Sequence, residues 1–309
     1  MRVLFISRGV NDKPKIIVEN QAKSLIRKGI EVEFFLINSN GFSGYFKSIK
    51  QLKILLQNKN YDVIHAHYSF SAYVASIAGA KPLVVSLMGS DIKKNFWGRL
   101  IIYFFISFFS WRSIITKSKD SQGALKSRST VVPNGVDIEL FIPMDKILCQ
   151  EKLGWNTSVK HILFAADPNR PEKNFNLANN ALSIVNRKDC VLHFLRNVPY
   201  SEMVYWYNAA DVVLLTSKWE GSPNVIKEAM ACNRPIITTG VGDVNQIIGD
   251  TKFCHVVNFS SQEVANRLIE ILSFDPKQIT TNGREKLFLI GYDSNSIANK
   301  LIDIYKAVI

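Results

Sequence analysis

The stretch that most constrains the fold runs from Asp211 to Gly240. Its first part, DVVLLTS, is short, apolar and rich in β-branched residues, which predicts a buried strand. A second strand of the same kind is predicted at PIITT, and the segment between the two is long enough for one helix. Buried strands that alternate with helices are typical of a parallel sheet covered on both faces, so the chain is predicted to be an α/β protein.

The helix in this stretch has a specific predicted start. Ser222 is a favoured N-cap residue and Pro223 a favoured first helical residue. Val225 occupies the third helical position, where a Glu or Gln would complete a capping box. The amides of residues 224–226 are therefore expected to stay partly free at the positive end of the helix dipole, where a phosphate can bind.

Two carboxylates flank this predicted phosphate site. Glu220 precedes the helix and Glu228 lies eight positions later, just over one turn into it. A carboxylate accepts hydrogen bonds from vicinal hydroxyls, which sugars and riboses offer. The alternative interpretation is that Glu228 only complements the helix dipole and that Glu220 is a solvated loop residue.

The same alternation of strands and helices extends along the whole chain. A length of 309 residues suits two α/β domains, and we predict a boundary near residue 145, with a polar linker at 144–160. Strands are predicted at MRVLFIS, EVEFFLIN, YDVIHAHYS and KPLVVSLMGSD in the first half. Because ligands bind beyond the carboxyl ends of parallel strands, His67, Ser86 and Asp91 become candidate site residues. His65 is expected on the opposite strand face, in the core.

Two motifs resemble those of a known family. EGSPNVIKEAMACNRPIITTG (Glu220–Gly240) closely resembles the E-x7-E donor-binding motif of retaining glycosyltransferases of family 4, and STVVPNGVDIELFIP (Ser129–Pro143) resembles that family's PNGVD signature. The resemblance implies a GT-B fold, in which two Rossmann-like domains with parallel sheets face each other across a cleft. It places the acceptor on residues 1–145, the nucleotide-sugar donor on 146–292, and a final helix, 293–309, back on the first domain.

The resemblance also implies roles for individual residues. Glu220, Lys173 and His67 are the catalytic candidates, with Glu220 on the donor sugar and Lys173 on the phosphates. Glu228 is expected on the nucleotide ribose. The other donor-site candidates are Arg170, Arg196, Asn197, Val198, Ser222, Asn224 and Val225, and the candidates on the acceptor side are Gly9, Ser86, Asp91, Asn134 and Gly135.

The implied reaction moves a sugar from a nucleotide-diphosphate sugar to a hydroxyl of a glycan or lipid-linked acceptor, with retention, in surface polysaccharide or glycolipid synthesis. The expected enzyme is of the hexosyltransferase type and needs neither a cofactor nor a metal, since no DxD-type metal motif is present. In this mechanism the departing phosphate takes the proton of the attacking hydroxyl.

Three departures from the family pattern leave alternatives open. Met88 occupies the histidine position of the HGSD element, Arg8-Gly9-Val10 replaces a double glycine, and Asp167 occupies the position of a family arginine. A thioether neither donates a hydrogen bond nor titrates. The alternatives are a catalytically silent nucleotide-sugar-binding homologue or scaffold, a nucleotide-sugar 2-epimerase, and a basic binding module without catalysis.

Charge and cysteine content bear on partners and location. The net charge is +12, and residues 1–145 hold 20 Lys and Arg against 10 Asp and Glu, which suits an anionic partner such as a phospholipid surface. No zinc-finger spacing or basic helical repeat indicates nucleic acid. Four cysteines without CxxC spacing suggest a reducing cytoplasm.

One segment of the basic half, Leu100–Trp111, is strongly apolar and is bracketed by Arg99 and Arg112. It is shorter than the roughly 20 residues needed to span a bilayer. The sequence therefore allows two interpretations. The segment is either a buried helix of the first domain or an interfacial helix that holds the protein on the inner face of a membrane.

Overall fold

Two α/β units make up the chain in the computed structural model, which describes residues 1–38, 41–93, 96–109, 111–125, 128–275, 279 and 281–309. The first unit comprises Met1–Gly135 and Ser294–Ile309, and the second comprises Val136–Asp293. The predicted boundary after residue 145 falls inside the second unit.

The predicted linker at 144–160 is folded, so that prediction is wrong. It contains a helix, Lys146–Leu153, that begins at an Asp145 cap and ends at Gly154 in the left-handed conformation. The Met144 amide donates to Asn208 Oδ1 at 2.9 Å, which ties the start of this segment to the second unit.

The first unit is built on a mainly parallel sheet with strand order β3-β1-β4-β5-β6-β7, and β2 pairs antiparallel with the end of β1. Its strands are β1 (Arg2–Val10), β2 (Lys13–Pro14), β3 (Glu31–Ile37), β4 (Val63–His67), β5 (Leu83–Leu87), β6 (Ser113–Thr116) and β7 (Thr130–Val131). Its helices are α1 (Ile16–Ile26), α2 (Gly41–Asn58), α3 (Ser69–Ile77), α4 (Ser90–Lys93), α5 (Phe96–Phe108), α6 (Lys119–Leu125) and α14 (Ser294–Lys306).

The first strand continues beyond its predicted end at Ser7. It runs to Val10 and turns back into β2, with Gly9 opposite Pro14 and Val10 opposite Lys13. Asn11 and Asp12, the two residues between the strands, have φ of 50° and 58°. Positive φ at both central residues is the geometry of a two-residue hairpin, which asparagine and aspartate tolerate better than most residues. Arg8-Gly9-Val10, the residues that replace the double glycine in the predicted pattern, therefore belong to the strand that enters this hairpin.

Helix α14 completes the core of the first unit. Ile297, Leu301 and Tyr305 are buried in one cluster with Val3 and Phe5 of the first strand. The apolar residues of α14 recur at helical spacing, so that one face of the helix lies on the sheet while the other faces water.

The two histidines of β4 lie on the same face of the strand, which corrects the prediction that they point in opposite directions. Their rings stack with centroids 4.2 Å apart. Residues two apart in a strand share a face, because side chains alternate with a period of two. His65 Nδ1 is hydrogen-bonded to the Tyr305 hydroxyl at 2.6 Å and Nε2 to Ser86 Oγ at 2.8 Å. His67 is also buried, and its ring lies 4.5 Å from that of Phe5.

Helix α5 covers most of the apolar segment singled out in the sequence. Ile102 and Phe105 are buried in the first unit's core, together with Trp111. Phe104 and Phe108 are exposed on the other side of the helix. Among the described residues, no helix has both the length and the hydropathy that a bilayer span requires.

The second unit has a parallel sheet with strand order β12-β11-β10-β8-β9. Its strands are β8 (Lys160–Phe164), β9 (Cys190–Phe194), β10 (Val212–Leu215), β11 (Ile236–Thr239) and β12 (Cys254–Val257). Its helices are α7 (Lys146–Leu153), α8 (Phe175–Val185), α9 (Met203–Ala209), α10 (Asn224–Ala231), α11 (Val244–Ile248), α12 (Ser261–Ser273) and α13 (Gly283–Leu289). Counted within this unit, the order is 2-1-3-4-5, which is a common doubly wound arrangement.

We expect Tyr305→Phe to destabilise the protein. The substitution keeps the ring and removes the hydroxyl that pairs with His65 Nδ1, which leaves a buried nitrogen without that partner. The expected loss in the free energy of unfolding is about 1 to 3 kcal/mol, measured by urea denaturation. A change within about 0.5 kcal/mol, as for ordinary surface substitutions, would contradict this account.

Candidate donor site

The topology of the second unit marks one place for a ligand. In an open parallel sheet of order 2-1-3-4-5, the connections on either side of the first strand run in opposite directions and leave a crevice at the carboxyl ends of strands 1 and 3. Those strands are β8 and β10, which pair in parallel. The loops that follow them carry Lys173 and Glu220.

Lys173 and Glu220 form an ion pair at this place. Lys173 Nζ lies 2.5 Å from Glu220 Oε1, and the Ser217 hydroxyl donates to the same oxygen at 2.8 Å. The side chains are 10% and 16% exposed. A charge so far removed from water needs a partner, and each of these groups supplies one to the other. The structure thus brings together two of the three predicted catalytic residues.

Backbone contacts hold the two loops in register. The Thr216 hydroxyl donates to the carbonyl of Lys173 at 3.2 Å and to that of Asn174 at 3.0 Å. The Lys218 amide donates to the Glu172 carbonyl at 2.8 Å. These bonds fix the short 3-10 turn Pro171–Lys173 against the end of β10. The Lys173 ammonium and the Glu220 carboxylate are therefore held next to each other by the backbone.

Gly242 packs against the same loop from the β11 side. Its φ is +62°, and a Cβ at this position would lie 2.4 Å from the Gly221 carbonyl oxygen. The Thr239 hydroxyl donates to the Ser217 carbonyl at 2.7 Å. The turn after β11 is therefore in direct contact with the loop that carries Glu220, and only glycine allows the approach.

Helix α10 starts one residue later than predicted. Its first helical residue is Asn224, Pro223 is the N-cap residue with φ of −70° and ψ of 117°, and no side chain caps this helix. Ser222 is therefore not the N-cap. A proline suits the extended N-cap conformation, and it leaves the amides of residues 224–226 without the side-chain oxygen that serine would have offered. Asn224 and Val225 are partly exposed at this end.

Lys227 is a site residue that the sequence reasoning missed. Its side chain is fully buried, and Nζ donates to Ser222 Oγ at 3.1 Å. Burial lowers the pKa of Lys227 to about 8, while the charges of Asp243 and Glu228 act to raise it. Asp243 is itself buried, in the turn that follows β11. The lysine is thus hydrogen-bonded to the loop before α10 and is influenced by the charge of Asp243 in the turn that follows β11. The available signal was a lysine next to Glu228 in the helical turn VIKEA, whose other residues are apolar.

Glu228 lies deeper than Glu220. It is 3% exposed, Oε1 accepts from the Tyr200 hydroxyl at 3.2 Å, and Oε2 accepts from the Tyr207 hydroxyl at 2.8 Å. Burial raises the pKa of Glu228, whereas the two tyrosine hydrogen bonds and Lys227 lower it. The alternative that Glu228 is only a dipole-complementing surface residue does not fit this burial.

The remaining donor-site candidates are near the surface. Arg170 is exposed, and its guanidinium pairs with Glu172 at 2.6 Å, so the structure does not bring it to the Lys173–Glu220 pair. Arg196 and Asn197 are exposed and Val198 is half-buried in the loop after β9. Tyr200, which contacts Glu228, follows in the same loop.

The candidate site residues of the first unit mostly make hydrogen bonds to neighbouring strands and loops of that unit. Ser86 holds His65, and the buried Asp91 carboxylate accepts from the amides of Ser69, Met88 and Gly89 at 2.9–3.3 Å. Burial raises the pKa of Asp91, and these backbone hydrogen bonds lower it.

The other candidates in the first unit have equally local surroundings. His67 is only 2% exposed, and burial, reinforced by the nearby Lys117 charge, lowers its pKa well below the usual value. Gly9 lies against the Asn38 side chain, which a Cβ would overlap. Asn134 and Gly135 are half-buried at the end of the first unit.

Two family models match the chain. Residues 158–273, which contain the Lys173–Glu220 pair and α10, match the model described as glycosyl transferases group 1. Residues 15–110 match the model described as glycosyl transferase 4-like. The two matches together cover more than half of the chain and fall in different units.

Curated relatives are also named as glycosyltransferases. A UDP-Gal:alpha-D-GlcNAc-diphosphoundecaprenol alpha-1,3-galactosyltransferase of Escherichia coli is 21% identical over 304 residues, covering 84% of this chain and 79% of the relative. An uncharacterized glycosyltransferase of Methanocaldococcus jannaschii is 25% identical over 253 residues, covering 75% and 70%.

Solved structures show the fold. Sucrose-phosphate synthase from Thermosynechococcus elongatus superposes with a TM-score of 0.83 at 16% identity, over 99% of this chain and 98% of that one. Anabaena HepE in complex with UDP and glucose gives 0.78 at 18% identity, over 99% and 100%. Two parallel-sheet α/β units of this kind define the GT-B class, which confirms the predicted fold. Within that class, the chain belongs to the group 1 glycosyltransferases of family 4.

We predict that Lys227 makes stability depend on pH. Its pKa is about 8 in the folded protein against an ordinary value of 10.5, so between these values the unfolded chain binds more protons. The wild type should therefore gain stability relative to Lys227→Met as pH rises, by about 2 kcal/mol between about pH 8 and pH 9.5.

The measurement is urea denaturation of both proteins across this range. Lys218→Met removes an exposed lysine of the neighbouring loop and should show no such divergence from the wild type. A difference between wild type and Lys227→Met that stays constant with pH would show that the buried amine does not titrate in this range.

Proposed function

We propose that this glycosyltransferase moves a sugar from a nucleotide-diphosphate sugar to a hydroxyl, with retention at the anomeric carbon. The observation that carries the proposal is the Lys173–Glu220 pair, which lies in the loops at the switch point of the second sheet. The loop that holds Glu220 leads directly into the uncapped start of α10. A cation, a carboxylate and free helix amides are the groups that recognise phosphates next to a sugar.

The diphosphate is proposed to rest on the amides of residues 224–226, with Lys173 Nζ on one of its oxygens. As the glycosidic bond breaks, negative charge builds on the departing phosphate. A well-placed donor stabilises such a charge by roughly 3 to 4 kcal/mol in the transition state. Lys173 is held by its Glu220 contact and by the turn that carries it, so little reorganisation is needed when the charge appears.

Glu220 is proposed to hold the donor sugar. Both of its hydrogen bonds from Lys173 and Ser217 end on Oε1, which leaves Oε2 for a sugar hydroxyl. Glu228 is proposed to accept from the ribose. Its tyrosine partners use two of the roughly four acceptor positions of a carboxylate, and they fix the orientation of the others.

In the proposed chemistry the acceptor hydroxyl attacks the anomeric carbon from the face on which the phosphate leaves. The oxygen–carbon bond forms as the carbon–phosphate oxygen bond breaks, and the departing phosphate takes the hydroxyl proton. His67 has no proton-transfer role in this scheme, because its ring is buried and its pKa is strongly lowered.

The proposal also covers the acceptor and the cellular compartment. A glycan or lipid-linked acceptor, in surface polysaccharide or glycolipid synthesis, is supported by the E. coli relative, whose name specifies a diphosphoundecaprenol-linked acceptor. A reducing cytoplasm is supported by the four free cysteines. Hexosyl transfer without a metal ion is part of the proposal, and turnover should therefore persist in EDTA.

One observation favours a second candidate, a homologue that binds the nucleotide sugar without turning it over. Met88, at the histidine position of the family element, packs against the apolar core around β1 and β5. It supplies no polar atom for an acceptor or sugar. Donor binding without transfer or hydrolysis, across a panel of acceptors, would establish this candidate in place of the enzyme.

We expect two variants of the donor site to fail in different ways. Glu228→Ala removes the proposed ribose acceptor and should raise the donor Kd, measured by calorimetry with a panel of UDP- and GDP-sugars. Lys173→Ala should lower kcat more than donor affinity, by about 100-fold or more, because its charge counts most in the transition state. Lys218→Ala, in the same loop region but exposed, serves as the matched control.

The stereochemistry is tested by NMR of the first-formed product. A product that keeps the anomeric configuration of the donor supports the proposal, and an inverted product contradicts it. Equal and small effects of Glu228→Ala and Lys173→Ala on turnover would remove the roles proposed for both residues.

A further inference from the structure

The exposed side of α5 is apolar and aromatic along its length. Leu100 and Ile101 lie three and four residues after Trp97, Phe104 lies three and four residues after them, and Phe108 lies four residues further on, which places all five on one face of a helix. All five are exposed, Trp97 at 70% and Phe108 at 73%. Since the opposite face already fills the core, this exposed face does not serve the packing of the first unit.

Aromatic contacts connect the buried side of α5, at Phe105, with two neighbouring helices. Phe70 of α3 is 50% exposed and stacks on Tyr45 of α2 with ring centroids 5.7 Å apart. Phe70 also contacts Tyr73, which stacks on Phe105 of α5 at 4.3 Å. We call the exposed apolar residues of α5, together with the exposed Phe70 of α3, the aromatic surface, which consists of Phe70, Trp97, Leu100, Ile101, Phe104 and Phe108. An exposed apolar surface of this kind marks an interaction site.

The charges on the same helices have a single sign. Helices α2, α3 and α5 contain Lys47, Lys50, Lys53 and Arg99, and they contain no aspartate or glutamate. All three lysines are exposed. Arg112, just after α5, is exposed as well. A protein surface that pairs with another folded protein usually mixes charges, whereas an anionic lipid headgroup layer calls for cations alone.

The geometry points to the aromatic surface as the site where this protein binds an anionic phospholipid bilayer. The aromatic and aliphatic side chains of α5 enter the boundary between headgroups and acyl chains, while the lysines of α2 meet the headgroup phosphates. Helix α5 has 13 residues, fewer than the roughly 20 that span a bilayer, so it lies along the interface. This inference concerns the first unit alone and does not depend on the proposed donor chemistry.

The test is sedimentation of the full chain with vesicles of phosphatidylglycerol and phosphatidylcholine in equal parts. We expect binding at about 0.05 M salt, weakening at about 0.5 M as the headgroup charge is screened, and little binding to phosphatidylcholine alone. Phe104→Ser with Phe108→Ser should lower the partition coefficient about tenfold or more. The control pair, Phe259→Ser with Leu289→Ser, removes equally exposed apolar side chains from the second unit and should leave binding unchanged.

Charge reversal tests whether the lysines of α2 bind the headgroup phosphates. Lys50→Glu with Lys53→Glu should reduce binding to the anionic vesicles about tenfold or more, since each cation near the surface contributes to the attraction. Lys188→Glu with Lys252→Glu makes the same change in net charge on exposed residues of the second unit, and it should have little effect. Equal losses for the two pairs would show a general charge effect and overturn the assignment to this surface.

A fluorescence measurement reports the contact itself. Trp97 should be quenched by lipids with brominated acyl chains, and the quenching should disappear in Trp97→Phe while sedimentation persists.

Absence of binding to anionic vesicles at low salt would overturn the inference. So would a concentration-dependent dimer, seen by analytical ultracentrifugation, that Phe104→Ser with Phe108→Ser dissociates, because the surface would then join two copies of the chain. Glu228→Ala should bind vesicles normally. Membrane binding can then be judged separately from the proposed donor site.

Discussion

Compensation of buried charge governs the second unit. Near the carboxyl edge of its sheet, Lys173 pairs with Glu220 from another loop, and Glu228 accepts hydrogen bonds from Tyr200 and Tyr207. An ion removed from water without a partner costs several kcal/mol or more. Loop conformations that would separate these partners are therefore strongly disfavoured. The loops after β8, β10 and β11 are consequently held in one arrangement. A site that must stabilise a developing charge benefits from groups that are already in position.

The backbone of this region was predictable because local pattern determines it. The run DVVLLTS is short and rich in β-branched residues, which favours a buried strand, and the segment before PIITT had the length and composition of one helix. The start of α10 was placed one residue early because Pro223 is equally compatible with the N-cap and the first helical position. The partners of Lys227 were not predictable, since Asp243 comes from the next loop and the burial of both depends on how that loop folds.

In the first unit, position at the end of a strand was not enough to identify site residues. The rule that ligands bind at the carboxyl edge of a parallel sheet identifies an edge, but it does not say which polar side chains face outward there. Ser86 and Asp91 lie at that edge and bind neighbouring strands and loops instead. The two histidines of β4 were assigned to opposite faces against the period of a strand, and the structure stacks them. The hairpin after β1 was missed because Asn11-Asp12 lacks the glycine that usually signals such a turn.

Helix α14 gives the first unit a core that is discontinuous along the chain. Tyr305 and Leu301 fill a place beside Val3 and Phe5, although the whole second unit separates these residues in sequence. During synthesis, residues 1–135 leave the ribosome without the helix that covers part of one face of their sheet beside α1, and α14 emerges only after the second unit has been made. The second unit, whose residues are contiguous, is free to fold first. The first unit therefore completes its core only after the second unit has been synthesised, and the nascent first half must avoid aggregation until the last helix arrives.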